Sequence, residues 1–443
     1  SAAAHKNEVS YMKHFFSKAL AAALCLACMP AGSLHTFAAE SSSIQSSCEG
    51  DIRVSSVSEE YGPGALLSGL GQYTSFQWYL DNQGTFLLSS LKQKFSSINY
   101  AHGFPHNNPD AVYLPLPGYN TAGYENLKAV AGIDLNIIPA WEQYDSSEEE
   151  KREVVVAIID TGVDTAHPDL EGALWTNPGE ILDDGVDNDG NGYIDDIHGW
   201  NFYMDQASLC SGNEDSHGTH TAGIIAAGRE GGGVSGIAGG SQVKVMVLKA
   251  LGGPMGIGSP ESIVKAIQYA EANGASICNL SLGTTRYYEN LDQAIRDSNM
   301  LFVIAAGNGD DGGSGMDTDA TPIYPASLPY DNIISVASLN YDGALAQSSN
   351  YGASSVDLAA PGSYILSTVP GESYAFYSGT SMAAPMVTGA AALLYSYRTD
   401  LELKDIRQAL LDTVHPLDSL SGKTVSGGIV DVGAAFDWQK PQE

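Results

Sequence analysis

Three stretches set residues able to do chemistry in frames of small side chains: "DTGVDTAHPDL" at 160–170, "HGTHTAG" at 217–223 and "SGTSMAAPMVTGAAALL" at 378–394. A serine hydroxyl is a weak nucleophile until a base accepts its proton. A histidine can do that near neutrality, and an aspartate on the other ring nitrogen fixes the tautomer and stabilises the imidazolium. Asp160, His217 and Ser381 supply that set in the chain order acid, base, nucleophile. Each residue also has a plain reading: Asp160 as a turn or cap, Ser381 as a helix cap, and Asn308, after a glycine, as a turn residue. It is their joint occurrence in order that points to acyl transfer. A zinc pair at His217 and His220 is disfavoured, because the two are three apart with no glutamate between them. An esterase-type nucleophile is disfavoured as well, since residues 379–383 read GTSMA rather than G-x-S-x-G and the serine comes last.

These residues need a scaffold that brings distant segments to one edge. The run VVVAII at 154–159 is apolar and β-branched, as expected for a strand buried on both faces, and Asp160 stands at its carboxyl end. Residues 243–248 (VKVMVL), 275–283 (ASICNLSLG), 300–308 (MLFVIAAGN) and 333–336 repeat the strand signal. Helical patterns at 261–272, 291–297, 380–397 and 403–411 alternate with them. Strands alternating with helices across short connections predict an α/β fold, a mostly parallel central sheet covered by helices on both faces. In such sheets the site candidates lie at the strands' carboxyl ends, here Asp160, the 281–283 turn and Asn308. The glycine fingerprint of dinucleotide binding is absent after the first buried strand.

With its three motifs in that order, the chain resembles the subtilisin-like serine proteases over residues 77–436. The resemblance implies a three-layer fold and an endopeptidase, with Asp160 as orienting acid, His217 as general base, Ser381 as nucleophile and His220 as a packing or hydrogen-bonding residue. It also implies an oxyanion hole formed by the Asn308 side chain and the Ser381 backbone N–H. Ser381 opens a long Ala- and Leu-rich helical pattern, whose amide dipoles would face developing negative charge, and Pro385 falls early enough to be tolerated. By the same likeness, Ser281, Leu282 and Gly283 pair with an extended polypeptide substrate and line the primary pocket. Residues 251–258, beginning Leu251, Gly252 and Gly253, form the opposing edge. Ile323 takes a place where relatives often carry something smaller, which would narrow the pocket. Asp310, Asp311, Asp317 and Asp319 could favour a basic side chain, face solvent or hold an ion. Two rival readings stay open: a protease dedicated to one precursor, and a catalytically silent module that captures extended peptides.

The stretch 183–202, DDGVDNDGNGYIDDIHGWNF, is too rich in carboxylates for an uncompensated turn. Asp187, Asp189, Asn191, Gly192, Ile194 and Asp195 match positions one, three, five, six, eight and nine of a calcium loop, with the Tyr193 carbonyl at seven. Position twelve is His198, so the remaining strong ligand must come from elsewhere, with Asp183, Asp184 and Asp196 the local candidates. Oxygen ligands favour structural Ca2+ over zinc. The family likeness adds Asp169, with the 230–235 loop, as a candidate for a second calcium site, though that loop is glycine-rich where familiar relatives carry asparagine.

Composition bounds the partners. The 443 residues carry 52 acidic and 20 basic side chains, a formal charge of −32, which argues against nucleic-acid backbones and anionic membranes as partners. Residues 1–11 read as vector-derived and 12–38 as a secretory signal, with Lys13 and Lys18 ahead of an apolar run and small residues at Ala38 and Ala39. Residues 39–71 read as an extension or propeptide remnant, and 72–438 as the catalytic domain with a surface insertion near 92–124. The expectation is a secreted or cell-surface monomer without stable membrane insertion. Cys25 and Cys28 leave with the signal, Cys278 is expected to be buried, and Cys48 with Cys210 is a possible pair.

Overall fold

The structure is a computed structural model and describes residues 73–87, 112–113 (as backbone), 127–230, 232–253, 256–309 and 313–441. The signal, the extension, Cys48, Asp310, Asp311 and most of the insertion lie outside the described residues. In chain order the elements are β1 (Val112–Tyr113), α1 (Ile137–Ser146), β2 (Val154–Asp160), β3 (Gly199–Asn201), α2 (Ser216–Ala226), β4 (Val243–Lys249), β5 (Leu251–Gly252) and β6 (Ile257–Gly258). Then come α3 (Pro260–Ala272), β7 (Ile277–Leu280), α4 (Glu289–Arg296), β8 (Leu301–Ala305), β9 (Ile333–Leu339), β10 (Leu358–Pro361), β11 (Ile365–Val369) and β12 (Ser373–Tyr377). The chain ends with α5 (Thr380–Tyr397), α6 (Leu403–Asp412), β13 (His415–Pro416), β14 (Gly428–Ile429) and α7 (Val432–Phe436).

Nine strands form the central sheet in the order β13-β14-β10-β9-β8-β7-β2-β4-β3. All neighbours run parallel except β13 with β14. The seven residues of β2 are all buried, as the unbroken apolar run requires for a strand covered on both sides. Its alternation divides the core: Val155, Ala157 and Ile159 join Met246, Leu248, Cys278, Leu280, Phe302 and Ile304 against Ile263, Ala266 and Ile267 of α3 and Leu291 and Ile295 of α4. Helices α2 and α5 pack on each other, and α5 runs along β7, β8, β9 and β10. Helix–sheet–helix layering is therefore the observed architecture, in line with the expected three-layer α/β fold.

Local chemistry sets the boundaries. Ser259 caps α3 with a reciprocal Ser259–Ser262 capping box, and Pro260 occupies the first turn, where its missing N–H costs nothing. The segment at 73–87 belongs to the core: Trp78, Tyr79 and Leu80 are buried, and the Gln77 amide exchanges two 2.8 Å hydrogen bonds with the backbone of Ser235. Cys278 is a buried free thiol, as expected, and Cys210 a half-buried one. Helices α1 and α7, strands β3, β10, β13 and β14, the β11–β12 hairpin, and the outer edge of β6, against which the backbone of β1 pairs antiparallel, are not foreshadowed by the sequence patterns.

Candidate active site

Strands β2, β7 and β8 are neighbours, so Asp160, Ser281 and Asn308 emerge at the same edge of the sheet. Asp160 is 1% exposed and His217, in the first turn of α2, is 7% exposed. The His217 Nδ1 lies 2.8 Å from Asp160 Oδ1 and 3.0 Å from Oδ2, and the Thr161 N–H donates to Oδ1 at 2.6 Å. An Nδ1–H donated to a buried carboxylate fixes the tautomer whose Nε2 is a proton acceptor. That Nε2 is buried and makes no hydrogen bond with any described residue. The structure thus brings Asp160 and His217 together, while no hydrogen bond joins His217 Nε2 to Ser381.

Close backbone approach makes the pair possible. A Cβ on Gly218 would stand 2.1 Å from the Gly162 carbonyl oxygen, so only glycine lets the first turn of α2 reach the loop after β2. Gly162 itself has φ +113°, and a Cβ there would stand 2.4 Å from the Leu209 carbonyl oxygen.

Ser381 is the second residue of α5 and fully buried. Pro385 lies inside this helix and has no N–H to return to the carbonyl four residues earlier, which is that of Ser381. Ser281 Oγ donates to the Ser381 carbonyl instead, at 3.0 Å. Ser281 Oγ in turn accepts from Asn279 Nδ2 at 3.0 Å, and Asn279 Oδ1 accepts from Thr388 Oγ1 at 2.8 Å. This buried chain ties the 279–281 segment to α5, the helix that carries Ser381. Sequence gave no cue beyond two polar residues in an apolar run. Asn308 Oδ1 accepts from the Thr380 N–H at 2.8 Å and its Oγ1 at 3.0 Å, and Thr380 Oγ1 accepts from the Gly307 N–H at 3.1 Å. The Asn308 Nδ2 lies beside Gly379, where a Cβ would stand 2.9 Å from it.

His220, one turn after His217, is fully buried. Its Nε2–H is shared between the carbonyls of Ile365 and Ala375, both at 3.0 Å, and its ring stacks on Tyr377 at 4.5 Å. Burial holds its pKa down at about 3. It fastens α2 to the hairpin that leads into Ser381.

Ser281 and Leu282 are buried after β7, while Gly283 is half-buried. Leu251 and Gly252 form β5, which pairs antiparallel with β6, and Gly253 follows in the turn. Ile323 is buried between two glycines: its Cγ2 would stand 3.1 Å from a Cβ on Gly283 and 3.7 Å from one on Gly307. Asp317 and Asp319 are exposed. Asp317 accepts from the Asp319 N–H, and the Asp319 carboxylate takes the Ser354 N–H and the Ser355 hydroxyl, the latter holding its pKa below the usual carboxylate range.

In the acidic loop, Glu180, Asp187 and Asp189 each offer a carboxylate oxygen, all within 4.8 Å of one another, an arrangement that could hold a metal ion. Glu180, which precedes the acidic loop and falls outside its calcium-loop spacing, joins Asp187 and Asp189 only through the fold. Of the other candidates, Asp184 caps the Val186 N–H, Asp195 receives the Asp184 and Gly185 N–H groups, and Asp183 is exposed with φ +57°. Asp196 is fully buried and accepts from Asn177, Asn191 and the Tyr269 hydroxyl. Asn191 also bonds Asp189, and the Tyr193 ring packs edge-on against Tyr269. Asp169 stands apart from this group: its carboxylate accepts the Gly233 N–H at 2.8 Å and the Val234 N–H at 2.9 Å.

Residues 151–430 match the model of the subtilase family. Among curated proteins, the chain is 34% identical over 301 residues to the major intracellular serine protease of Bacillus subtilis (strain 168), covering 66% of this chain and 85% of that one. It is 39% identical over 270 residues to the thermophilic serine proteinase of Bacillus sp. (strain AK1), covering 60% of this chain and 57% of that one. It is 33% identical over 324 residues to subtilisin-like protease 1 of Plasmodium falciparum (isolate 3D7), covering 69% of this chain and 46% of the relative, so it spans about half the length of these last two.

Proposed function

The chain belongs to the subtilase family of enzymes, and from that footing we propose that it is a serine endopeptidase working through Asp160, His217 and Ser381. The observation that carries this reading is the buried Asp160–His217 pair at the carboxyl edge of the sheet, the edge at which Ser281 and Asn308 also emerge, each hydrogen-bonded to the start of α5. Ser381 Oγ attacks the scissile carbonyl carbon as His217 Nε2 takes its proton, and Asp160 stabilises the imidazolium through Nδ1–H. The negative oxygen of the tetrahedral intermediate is received by the Asn308 Nδ2–H and the Ser381 N–H, reinforced by the N-terminal dipole of α5. Collapse breaks the carbon–nitrogen bond, and His217 returns the proton to the leaving amine. Water then repeats the sequence on the acyl-enzyme, again with His217 as base.

The substrate is an extended polypeptide laid between 281–283 and the β5–β6 hairpin. The antiparallel pairing of Val112–Tyr113 with Ile257–Gly258 supports this, since the edge of β6 already accepts an added strand. Ile323, wedged between Gly283 and Gly307, favours a selective processing protease over a general digestive one, because it leaves little depth for a bulky side chain beside the oxyanion donor. A peptide-library profile that prefers large side chains before the cut would exclude that narrower reading.

Calcium fits the acidic loop: Glu180, Asp187 and Asp189 present hard oxygen donors close enough to share one ion. There it would neutralise mutual repulsion and brace the loop, with no part in bond cleavage. Export from the cytoplasm rests on the charged and apolar pattern of 12–38, and among the described residues no helix is long and apolar enough to cross a membrane. A serine-directed phosphonate should label the protein stoichiometrically and fail to label Ser381→Ala. Absence of both labelling and peptide hydrolysis in the parent would sink the reading.

A further inference from the structure

Lys249 ends β4 as a fully buried side chain, in register with Asp160 on β2 and Asn201 on β3. Its stem runs beneath the loop after β2, where a Cβ on Gly162 would stand 3.0 Å from Lys249 Cδ and 2.8 Å from Asp215 Oδ1. The ammonium donates to the Thr161 carbonyl and to the Asp215 carboxylate, and lies 3.4 Å from Glu214 Oε1. Asp215 is also fully buried. Its second oxygen accepts the Ser211 N–H, and its carbonyl accepts Thr219 Oγ1 at 2.8 Å inside α2. Burial pushes the Asp215 carboxyl above the usual carboxylate range, against the pull of Lys249.

The two segments gripped by this one ammonium are those that carry the acid–base pair. Thr161 follows Asp160 directly, and its hydroxyl accepts the Gly218 N–H at 3.1 Å; Asp215 stands two residues before His217. Two buried ions are seldom the most stable filling for such a space, since apolar side chains of similar volume do as well or better. What an ammonium adds is direction, with three donors to share among oxygens on two segments, Thr161 on one and Glu214 and Asp215 on the other. We propose that Lys249 is a positioning residue for catalysis, clamping the Asp160–Thr161 turn to the approach to α2 so that Asp160 and His217 keep their hydrogen bond. This rests on the protease reading above, and neither Lys249 nor Asp215 touches the reacting atoms.

Two variants test it in the full-length protein. Lys249→Met with Asp215→Leu removes both charges and the clamp but keeps the volume apolar. Asp215→Asn keeps the ammonium and its bond to Thr161. The measurements are the melting temperature, kcat and KM on a peptide substrate, and the far-downfield proton signal of His217 Nδ1–H. The double variant should melt close to the parent and keep KM within about twofold, while kcat falls about 100-fold and the downfield signal moves or vanishes, as expected for a displacement of about 1 Å at the reacting groups. Asp215→Asn should hold kcat within about tenfold of the parent and retain the signal. A double variant with the parent's kcat and signal overturns the inference, as does an Asp215→Asn loss equal to the double variant's, which would make the charge and not the clamp decisive. If the parent neither hydrolyses peptides nor takes the phosphonate, the protease reading fails by itself, and the Nδ1–H signal still decides whether Lys249 holds the pair.

Discussion

Replacing Asp160 by asparagine removes one charge from the acid–base pair and nearly nothing else. The Thr161 N–H at 2.6 Å requires an acceptor at the Oδ1 position, so the new amide must turn its oxygen there and set its NH2 group where Oδ2 stood, 3.0 Å from His217 Nδ1. A donor in that place leaves only the neutral amide oxygen, 2.8 Å away, to hold the Nδ1–H tautomer, so the form with its proton on Nε2, the nitrogen that must accept from Ser381, gains population. The charge lost is large by the geometry: a full pair at the observed 2.8 Å is worth about 6 kcal/mol at an effective dielectric of about 20. That is close to the loss of about 10⁴ in kcat known for the same substitution in another Asp-His-Ser triad, or about 5.4 kcal/mol. Asp160→Asn should therefore lower kcat about 10⁴-fold with KM little changed, and the melting temperature should not fall, since a buried charge has been removed. Steady-state kinetics on a peptide substrate, with active-site titration to count competent protein, measure it. A variant within tenfold of the parent in kcat, or one whose loss lies in KM, would refute the assigned role.

Acid should weaken the fold through His220. Its folded pKa of about 3 lies below the unfolded value of about 6.5, so between these limits the unfolded chain binds a proton that the folded chain refuses. Stability is then lost as pH falls through that window, at up to about 1.4 kcal/mol per pH unit. Urea titrations of the Ser381→Ala protein between about pH 7 and about pH 4 should show this slope, with His220→Gln shallower by about one proton; identical slopes would remove His220 from the account. Calcium should raise the melting temperature, each tenfold excess over its Kd adding about 1.4 kcal/mol. Chelation should reverse the gain and Asp187→Asn should abolish it, whereas a melting curve indifferent to calcium would leave the Glu180 group as a loop held by its own amides.

The parts legible in sequence were those with strong local patterns. The run at 154–159 became β2, residues 380–397 became α5 without change of boundary, and 261–272 lacked only the Pro260 at its start. Asp160 and His217 were identifiable because small residues framed them, and those glycines turn out to be where two backbones touch. The hairpin of β11 and β12 was missed because its alternation is weak and its partners, Thr219, His220 and Asp164, lie more than a hundred residues away. Glu180 was missed for a related reason: a loop pattern anchored on Asp187 counts forward, while the third carboxylate returns from behind. Lys249 left a visible trace, a lysine ending the apolar strand VKVMVLK, but nothing local says that two segments of backbone converge on it.

The proline inside α5 changes what that helix can transmit. In an unbroken helix the Ser381 carbonyl would also receive the N–H of residue 385 and divide its two lone pairs between that donor and the Ser281 hydroxyl. Because Pro385 brings no N–H to that oxygen, the Ser281 hydroxyl, just past the end of β7, is a donor that the next turn of α5 does not duplicate. A ligand that shifts the 281–283 edge therefore has a direct mechanical line to Ser381, without moving either element as a whole. Any residue at 385 that restores an N–H would give that oxygen a second donor and so a share of the hold that Ser281 has on it.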